Sequence, residues 1–482
     1  MPSLPPRPVP ALLLTAALVA ACPGGQGDST MSEGTGSPAT TDGSTATDPV
    51  ITAGTTSGTS GTATDSDSGD PTGTTAPTTG DPGTTTVAST TTGPDTTDTT
   101  DIDTTTTTTG DPVRGAGRIV GYFTAWAVYD RDYHVSDIPA AKLTHVNYAF
   151  ANLSPAGECV LGDSYADIEK VYDGDDPNAP LKGSFHQLHQ LKQQHGHLRT
   201  LISVGGYTWS TNFAPNAATE QGRAKLAASC VKFMRDYGFD GVDIDWEFPA
   251  SPLEGQHYSA LLAALRTELD AAGAEDGADY LLTIAAPAGP GNLANLDLPG
   301  IAASVDWINL MAYDFAGPWM GTTTHNAALY SPADDPDPNN ALLSDDSAVT
   351  AILAAGVAPD QLVLGVPFYG RSFAGASGGQ DGLYSTFSGA GPGTWEPGIV
   401  DYHDIVANYE PELERFWHAE AAVPWLYDAA DDLFITYDDP ESMQRKTDYI
   451  TAKALGGAMF WELAGDTQDS ALLDVLADAL LP

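Results

Sequence analysis

Basic residues are scarce in this chain. Its 482 residues include 19 Lys and Arg against 64 Asp and Glu, a formal net charge of −45. Nucleic acids and anionic lipid surfaces would be repelled by that excess, so neither is expected as an electrostatic partner. Cysteine is almost absent, with 3 in the whole chain. One is Cys22, near the start. The other two, Cys159 and Cys230, are too few for a disulfide framework. Cys230 lies in the amphipathic run KLAASCVKFMRDYG and reads as a buried free thiol, a single bridge to Cys159 being the alternative. Long apolar runs are missing too. PALLLTAALVAA, near the start, is too short to span a bilayer. No Gly-rich phosphate loop follows the first β-rich run, RIVGYF, which speaks against a doubly wound nucleotide-binding sheet.

The apolar run near the start has another use. Arg7 is the lone positive charge before it, and residues 1–22 read as an export signal. The signal ends in VAAC, Val19 to Cys22, which resembles the lipobox of bacterial lipoproteins. That resemblance implies a lipid anchor on Cys22 and a secreted or cell-surface location; an ordinary signal peptide cut near Ala21 is the alternative. Residues 23–113 repeat TTG, TGDP and TTTTTT with almost no large apolar side chains. Such a segment buries too little surface to offset the entropy of ordering, so it reads as a disordered acidic linker.

Residues 114–482 look globular. Apolar β-rich runs recur: RIVGYF, HVNYAF, RTLISVGG, GVDIDWE, YLLTIAAPA, DWINLMAYDF, LVLGVPFYG and GGAMFWEL. Between most of them lie amphipathic stretches such as SFHQLHQLKQQHG and SALLAALRTELDAAG. Strands that alternate with helices imply a parallel sheet, and this number of them implies an α/β fold of the (β/α)₈ TIM-barrel type. One gap is too long for a helix alone. It holds GTWEPGIVDYHDI and AVPWLYDAADDLFITYDD, and reads as a small α+β insertion over residues 373–440, before the last strand.

The fourth run carries the chemistry. In FDGVDIDWEFP, strand alternation puts Asp243, Asp245 and Glu247 on one face and Val242, Ile244 and Trp246 on the other. The inside of such a barrel is normally filled by branched apolar side chains. Three inward carboxyls at the C-terminal end of a strand sit where barrel active sites form, and like charges that close raise at least one pKa. A carboxyl protonated near neutral pH can serve as a general acid. A solvated strand end and a Ca²⁺ or Mg²⁺ site are the rival readings of such a cluster. Asp240, at the strand's entry, reads as structural.

DGVDIDWE resembles the DxxDxDxE signature of glycoside hydrolase family 18, the chitinases and their relatives. LISVGG resembles that family's SxGG, MAYDF its MxYD, and YGR and FWE its substrate-contacting segments, all in order. The likeness runs from Gly117 to the C-terminus. It implies a chitinase that cleaves β-1,4 bonds between N-acetylglucosamine units, with retention, and with the substrate's own acetamido group as nucleophile. Glu247 would be the general acid. Asp245 would orient the N-acetyl group, Asp243 would share a proton with it, and Ser203 would donate to Asp243. Tyr313 would hold the acetamido oxygen, with Asp314 beside it helping to distort the sugar. Trp461 would lie under the reacting sugar and Trp319 on the acceptor side. Tyr369 and Arg371, on strand seven, would contact substrate, and Tyr122 and Phe150 would lie at the cleft floor. Where relatives carry Trp after SxGG this chain has Tyr207, with Trp209 close by. No metal and no cofactor is implied, and the chain would act as a monomer on chitin or chito-oligosaccharides. An endo-β-N-acetylglucosaminidase acting on glycoprotein glycans and a non-cleaving chitinase-like lectin are the alternatives.

Overall fold

A computed structural model describes residues 117–482. The export signal, the linker and Cys22 lie outside the described residues. Eight parallel strands close into a barrel: β1 (Arg118–Thr124), β2 (His145–Leu153), β3 (Arg199–Gly205), β4 (Gly241–Asp245), β5 (Leu281–Pro287), β6 (Trp307–Met311), β7 (Leu362–Pro367) and β8 (Gly457–Trp461). Each falls on one of the eight apolar runs. Neighbours pair in chain order, and β1 pairs with both β2 and β8, which closes the ring. The (β/α)₈ barrel expected from the sequence is therefore the fold.

The alternation along β4 shows why the sequence folds this way. Val242, Ile244 and Trp246 are buried against the helical layer. Trp246 stacks on Phe213 with ring centroids 5.5 Å apart, and Tyr258 donates its hydroxyl to the Ile244 carbonyl at 3.0 Å. Apolar burial between strands and helices is the main favourable term for the fold. The principal helices are α1 (Gly183–Gln194), α2 (Glu220–Tyr237), α3 (Pro252–Asp276), α4 (Asp345–Ala354), α5 (Pro440–Ala452) and α6 (Ala471–Leu480). Helix α2 starts at Thr219, whose side chain accepts from the Gly222 N–H, and stops at Gly238, whose φ of 69° suits glycine. A smaller core fills the barrel itself, built from Val120, Tyr122, Phe150, Trp307, Val363 and Met459.

Asp240 is structural, as its position suggested. Its Oδ2 accepts from the Thr200 N–H at 2.7 Å and from Lys192 Nζ at 2.9 Å, tying β3, α1 and β4 together at the barrel's N-terminal side. Cys159 and Cys230 are both buried and unpaired. Among the described residues, no helix is long and apolar enough to cross a membrane.

A second, antiparallel sheet stands between β7 and α5. Its strands are Tyr369–Ala374, Gly389–Ala390, Ile399–Asp401, Glu414–His418, Val423–Asp428 and Leu433–Thr436. This sheet begins at Tyr369, not at residue 373. Strand β7 ends at Pro367, and Tyr369–Arg371 pair antiparallel with Ile399–Asp401. Tyr369 and Arg371 therefore do not sit on the seventh barrel strand. The run LVLGVPFYG hides the change because one apolar stretch serves two sheets.

Candidate active site

The carboxyl cluster is assembled by the register of β3, β4 and β5. Ser203, Asp243 and Thr283 are lateral partners across these strands. Asp243 is fully buried and receives four donors. Its Oδ2 accepts from Tyr122 Oη at 2.8 Å and Ser203 Oγ at 2.7 Å. Its Oδ1 accepts from Thr283 Oγ1 at 2.5 Å and Asn309 Nδ2 at 3.3 Å. Burial pushes the Asp243 pKa up, and all four donors pull against that shift.

Asp245, two residues on, has the opposite surroundings. It is buried, and its Oδ1 has no hydrogen-bond partner. Burial, then the charges of Glu247 and Asp243, push its carboxyl well above the usual range. The proton of this pair belongs on Asp245, because Asp243 has the donors that stabilise an anion. Glu247 is half-buried. Burial and then the charge of Asp314 raise it to about 7, while the Tyr207 backbone N–H opposes the shift. Its backbone is fixed by Ser210, whose Oγ accepts from the Glu247 N–H at 2.8 Å and lies 2.9 Å from the Gly206 carbonyl it donates to. Among the described residues, no group of three or more His, Cys, Asp or Glu side chains is arranged to hold a metal ion.

Opposite the carboxyls stands the segment after β6. Tyr313 stays a neutral phenol, its pKa pushed well up by burial and by the nearby carboxyls. Its hydroxyl has only the Met459 sulfur as acceptor, at 3.8 Å. A thioether is a weak acceptor, so this donor is available to a ligand. Asp314 sits beside it at a φ of 60°, its N–H bonded to Asn326 Oδ1 at 3.2 Å. Asp314 Oδ1 takes three donors: Tyr369 Oη at 2.6 Å, Arg371 Nε at 2.9 Å and Arg371 Nη2 at 2.6 Å. The polar groups of Tyr369 and Arg371 thus converge on Asp314.

The aromatic side chains divide into floor and rim. Trp461 is half-buried and stacks on Phe150, centroids 5.8 Å apart and planes 17° from parallel. Tyr122 packs at 5.5 Å from the same indole. Tyr122 is only 2% exposed, with its hydroxyl committed to Asp243. Tyr122 and Phe150 therefore lie at the floor against Trp461, and Ser203 donates to Asp243, as the resemblance implied. Trp319, at 61% exposure, lies on the rim, with the Arg371 guanidinium 5.2 Å from its ring centroid. Tyr207 is 82% exposed, whereas Trp209 packs among the barrel's interior side chains and is no free platform.

Sequence reasoning missed Thr283, Asn309, Ser210 and Trp126. Trp126 lies two residues past the end of β1, is 40% exposed and packs 6.2 Å from Trp461. Its place just past the C-terminal end of a barrel strand was the available signal. Thr283 and Asn309 are polar residues inside apolar runs, visible as anomalies only once their inward direction is known.

Comparison with known proteins decides the family. The sequence model of glycosyl hydrolases family 18 matches residues 118–466. The chain belongs to glycosyl hydrolases family 18. Chitinase A1 of Niallia circulans is 44% identical over 396 residues, an overlap that covers 72% of this chain and 56% of that protein. The chain thus spans little more than half the length of that relative. Endochitinase 1 of Metarhizium robertsii is 41% identical over 352 residues, covering 72% of this chain and 81% of its own. Among solved structures, chitinase ChiA74 from Bacillus thuringiensis superposes with a TM-score of 0.71 at 40% identity, covering 76% of this chain and 70% of that one. For this family member, the carboxyl cluster at the barrel's C-terminal end occupies the place where barrel enzymes act.

Proposed function

We propose that this family 18 member is a chitinase that hydrolyses β-1,4 bonds between N-acetylglucosamine units with retention of configuration. The observation that carries the reading is the unequal treatment of three neighbouring carboxyls. Asp243 is saturated with donors, Asp245 has an unpartnered oxygen, and Glu247 is raised to about 7. Glu247 then keeps a proton near neutral pH and gives it to the glycosidic oxygen. An ordinary retaining glycosidase uses its second carboxyl as nucleophile. Here Asp245 is deeply buried and protonated, which suits a different role. The 2-acetamido oxygen of the substrate attacks the anomeric carbon as the glycosidic bond breaks, giving an oxazolinium ion. The free Oδ1 of Asp245 accepts from the acetamido N–H, whose acidity grows as positive charge develops on the amide, and Tyr313 donates to the acetamido oxygen. Water then opens the ring, with Glu247 taking its proton back. Trp461 carries the reacting sugar, and Trp319 and Tyr207 offer exposed faces for neighbouring units.

The relatives named above are chitinases and an endochitinase, which supports chitin as the polymer. The second sheet, wall-like beside the cleft, suits a linear chain. The VAAC sequence supports export with a lipid on Cys22. The test is incubation of the full chain with chitohexaose, following products by proton NMR. Short oligomers released as the β-anomer support the reading. Initial α-anomer contradicts retention. Binding without cleavage makes the protein a lectin, and cleavage of a high-mannose N-glycan in place of chitohexaose makes it an endo-β-N-acetylglucosaminidase.

A further inference from the structure

The four donors on Asp243 are not equivalent. Two of them, Asn309 and Thr283, bind Oδ1 from strands β6 and β5. An amide can present either its oxygen or its nitrogen, and an Asn309 turned the wrong way would aim an acceptor at a carboxylate. The orientation is set from below. Trp307, two residues earlier on the same strand face, donates its indole N–H to Asn309 Oδ1 at 2.9 Å. That bond leaves Nδ2 for Asp243. Trp307 is itself held between the Arg118 guanidinium, 4.9 Å from its ring centroid, and the His145 ring at 4.7 Å. Burial first, then Arg118 and Arg199, lower His145 to about 3, so it stays neutral and does not perturb the relay near neutral pH.

We propose that Asn309, its amide set by the Trp307 indole and aided by Thr283, is a positioning residue that keeps the negative charge of the buried pair on Asp243 and the mobile proton on Asp245. The groups facing Asp243 from the surrounding elements are Tyr122, Ser203, Thr283 and Asn309, with Asp245 on its own strand; Tyr258 and Tyr313 lie further off as neutral phenols. No cation is among its hydrogen-bond partners. Only neutral dipoles hold the charge in place, so removing one has a measurable effect.

The kinetic arm of the test rests on the chitinase reading; a second arm does not. Removing a donor from an ionised carboxyl raises its pKa. In the full chain, Asn309→Leu moves the acidic limb of the kcat–pH profile on chito-oligosaccharide upward by about one pH unit, the size of one charge-assisted hydrogen bond. KM stays within about twofold because no sugar contact is lost. Trp307→Phe keeps the ring, loses the N–H and moves the limb in the same direction by less. Thr283→Val shifts it as well, and Thr283→Ser restores the wild-type profile. The second arm is carbon-13 NMR of carboxyl-labelled aspartate, with the Asp243 signal assigned by its loss in Asp243→Asn. Asp243 titrates at higher pH in Asn309→Leu, Trp307→Phe and Thr283→Val than in wild type. An unchanged Asp243 titration in the folded variants overturns the inference, as does an acidic limb that stays put while kcat falls. If wild type leaves chito-oligosaccharides intact but the Asp243 signal still shifts, the chitinase reading fails and the positioning role stands.

Discussion

Two clusters of buried acids in this molecule have opposite designs. Outside the barrel, Lys446 from α5 is wholly buried with Asp345 and Asp438. Its Nζ donates to Asp438 Oδ2 at 2.9 Å and the Ala327 carbonyl at 2.8 Å, with Asp345 Oδ2 at 3.6 Å. Burial alone would lower the Lys446 pKa, but Asp345 and Asp438 outweigh it and raise it. Inside the barrel, Asp243, Asp245 and Glu247 have hydroxyl, amide and backbone donors and no lysine or arginine bonded to them. Burial still holds the Asp345 and Asp438 carboxyls above the usual range, but the Lys446 cation pulls both down and makes a clasp. Neutral donors beside buried acids leave protons to be shared, and shared protons are what general acid catalysis uses. Burial is common to both clusters, so the counter-ion separates structure from chemistry.

The largest effect comes from removing the one proton that reaches substrate. Glu247→Gln lowers kcat by about a thousandfold, within the range for loss of a general acid, while chito-oligosaccharide binding by calorimetry persists. Loss of binding together with activity would place Glu247 among the binding groups instead. On the other side of the comparison, Lys446→Met leaves two carboxyls buried without a cation. The cost is about 3–5 kcal/mol of unfolding free energy, read by urea denaturation, with activity per folded molecule unchanged. A smaller, graded effect is expected with pH. Burial raises Glu247 and Glu462 from 4.5 to about 7 in the folded protein. The folded state then holds these protons more tightly than the unfolded chain. Their stabilising contribution is complete below about pH 4.5 and is lost as pH rises toward 7. Activity falls over the upper part of the same range as Glu247 loses its proton. Stability–pH curves of wild type and Glu247→Gln should converge at low pH, with the variant the more stable above pH 7. Parallel curves would mean that Glu247 titrates normally.

Much of this contrast could be read from the residues alone. The eight apolar runs marked the barrel strands, and period-two alternation placed Asp243 and Asp245 inside with Val242 and Ile244 outside. Three inward acids in an otherwise apolar barrel stood out against any packing rule. Thr283 and Asn309 did not stand out, because a hydroxyl or an amide in a strand is common on either face. Their role depends on lateral register, which no single strand contains. Tyr369 and Arg371 were misplaced for a related reason: antiparallel pairing with Ile399–Asp401, not local pattern, ends the barrel strand before them. Tyr122 was legible as a floor aromatic, but the bond from its hydroxyl to Asp243 was not, because it spans strands β1 and β4. The clasp around Lys446 joins Asp345 to Asp438 and Lys446, more than ninety residues further along the chain, and no local pattern announces that long-range contact.

In the proposed mechanism no protein carboxyl attacks the sugar, because the buried Asp245 serves the substrate's own acetamido group. The most direct measurement compares cleavage by the full chain of two matched chito-oligosaccharides, one bearing the 2-acetamido group on the reacting sugar and one bearing a free amine there. Cleavage of the acetylated compound alone, with both bound, is the expected result. Equal cleavage of both would contradict substrate assistance and make a carboxyl of the cluster the nucleophile.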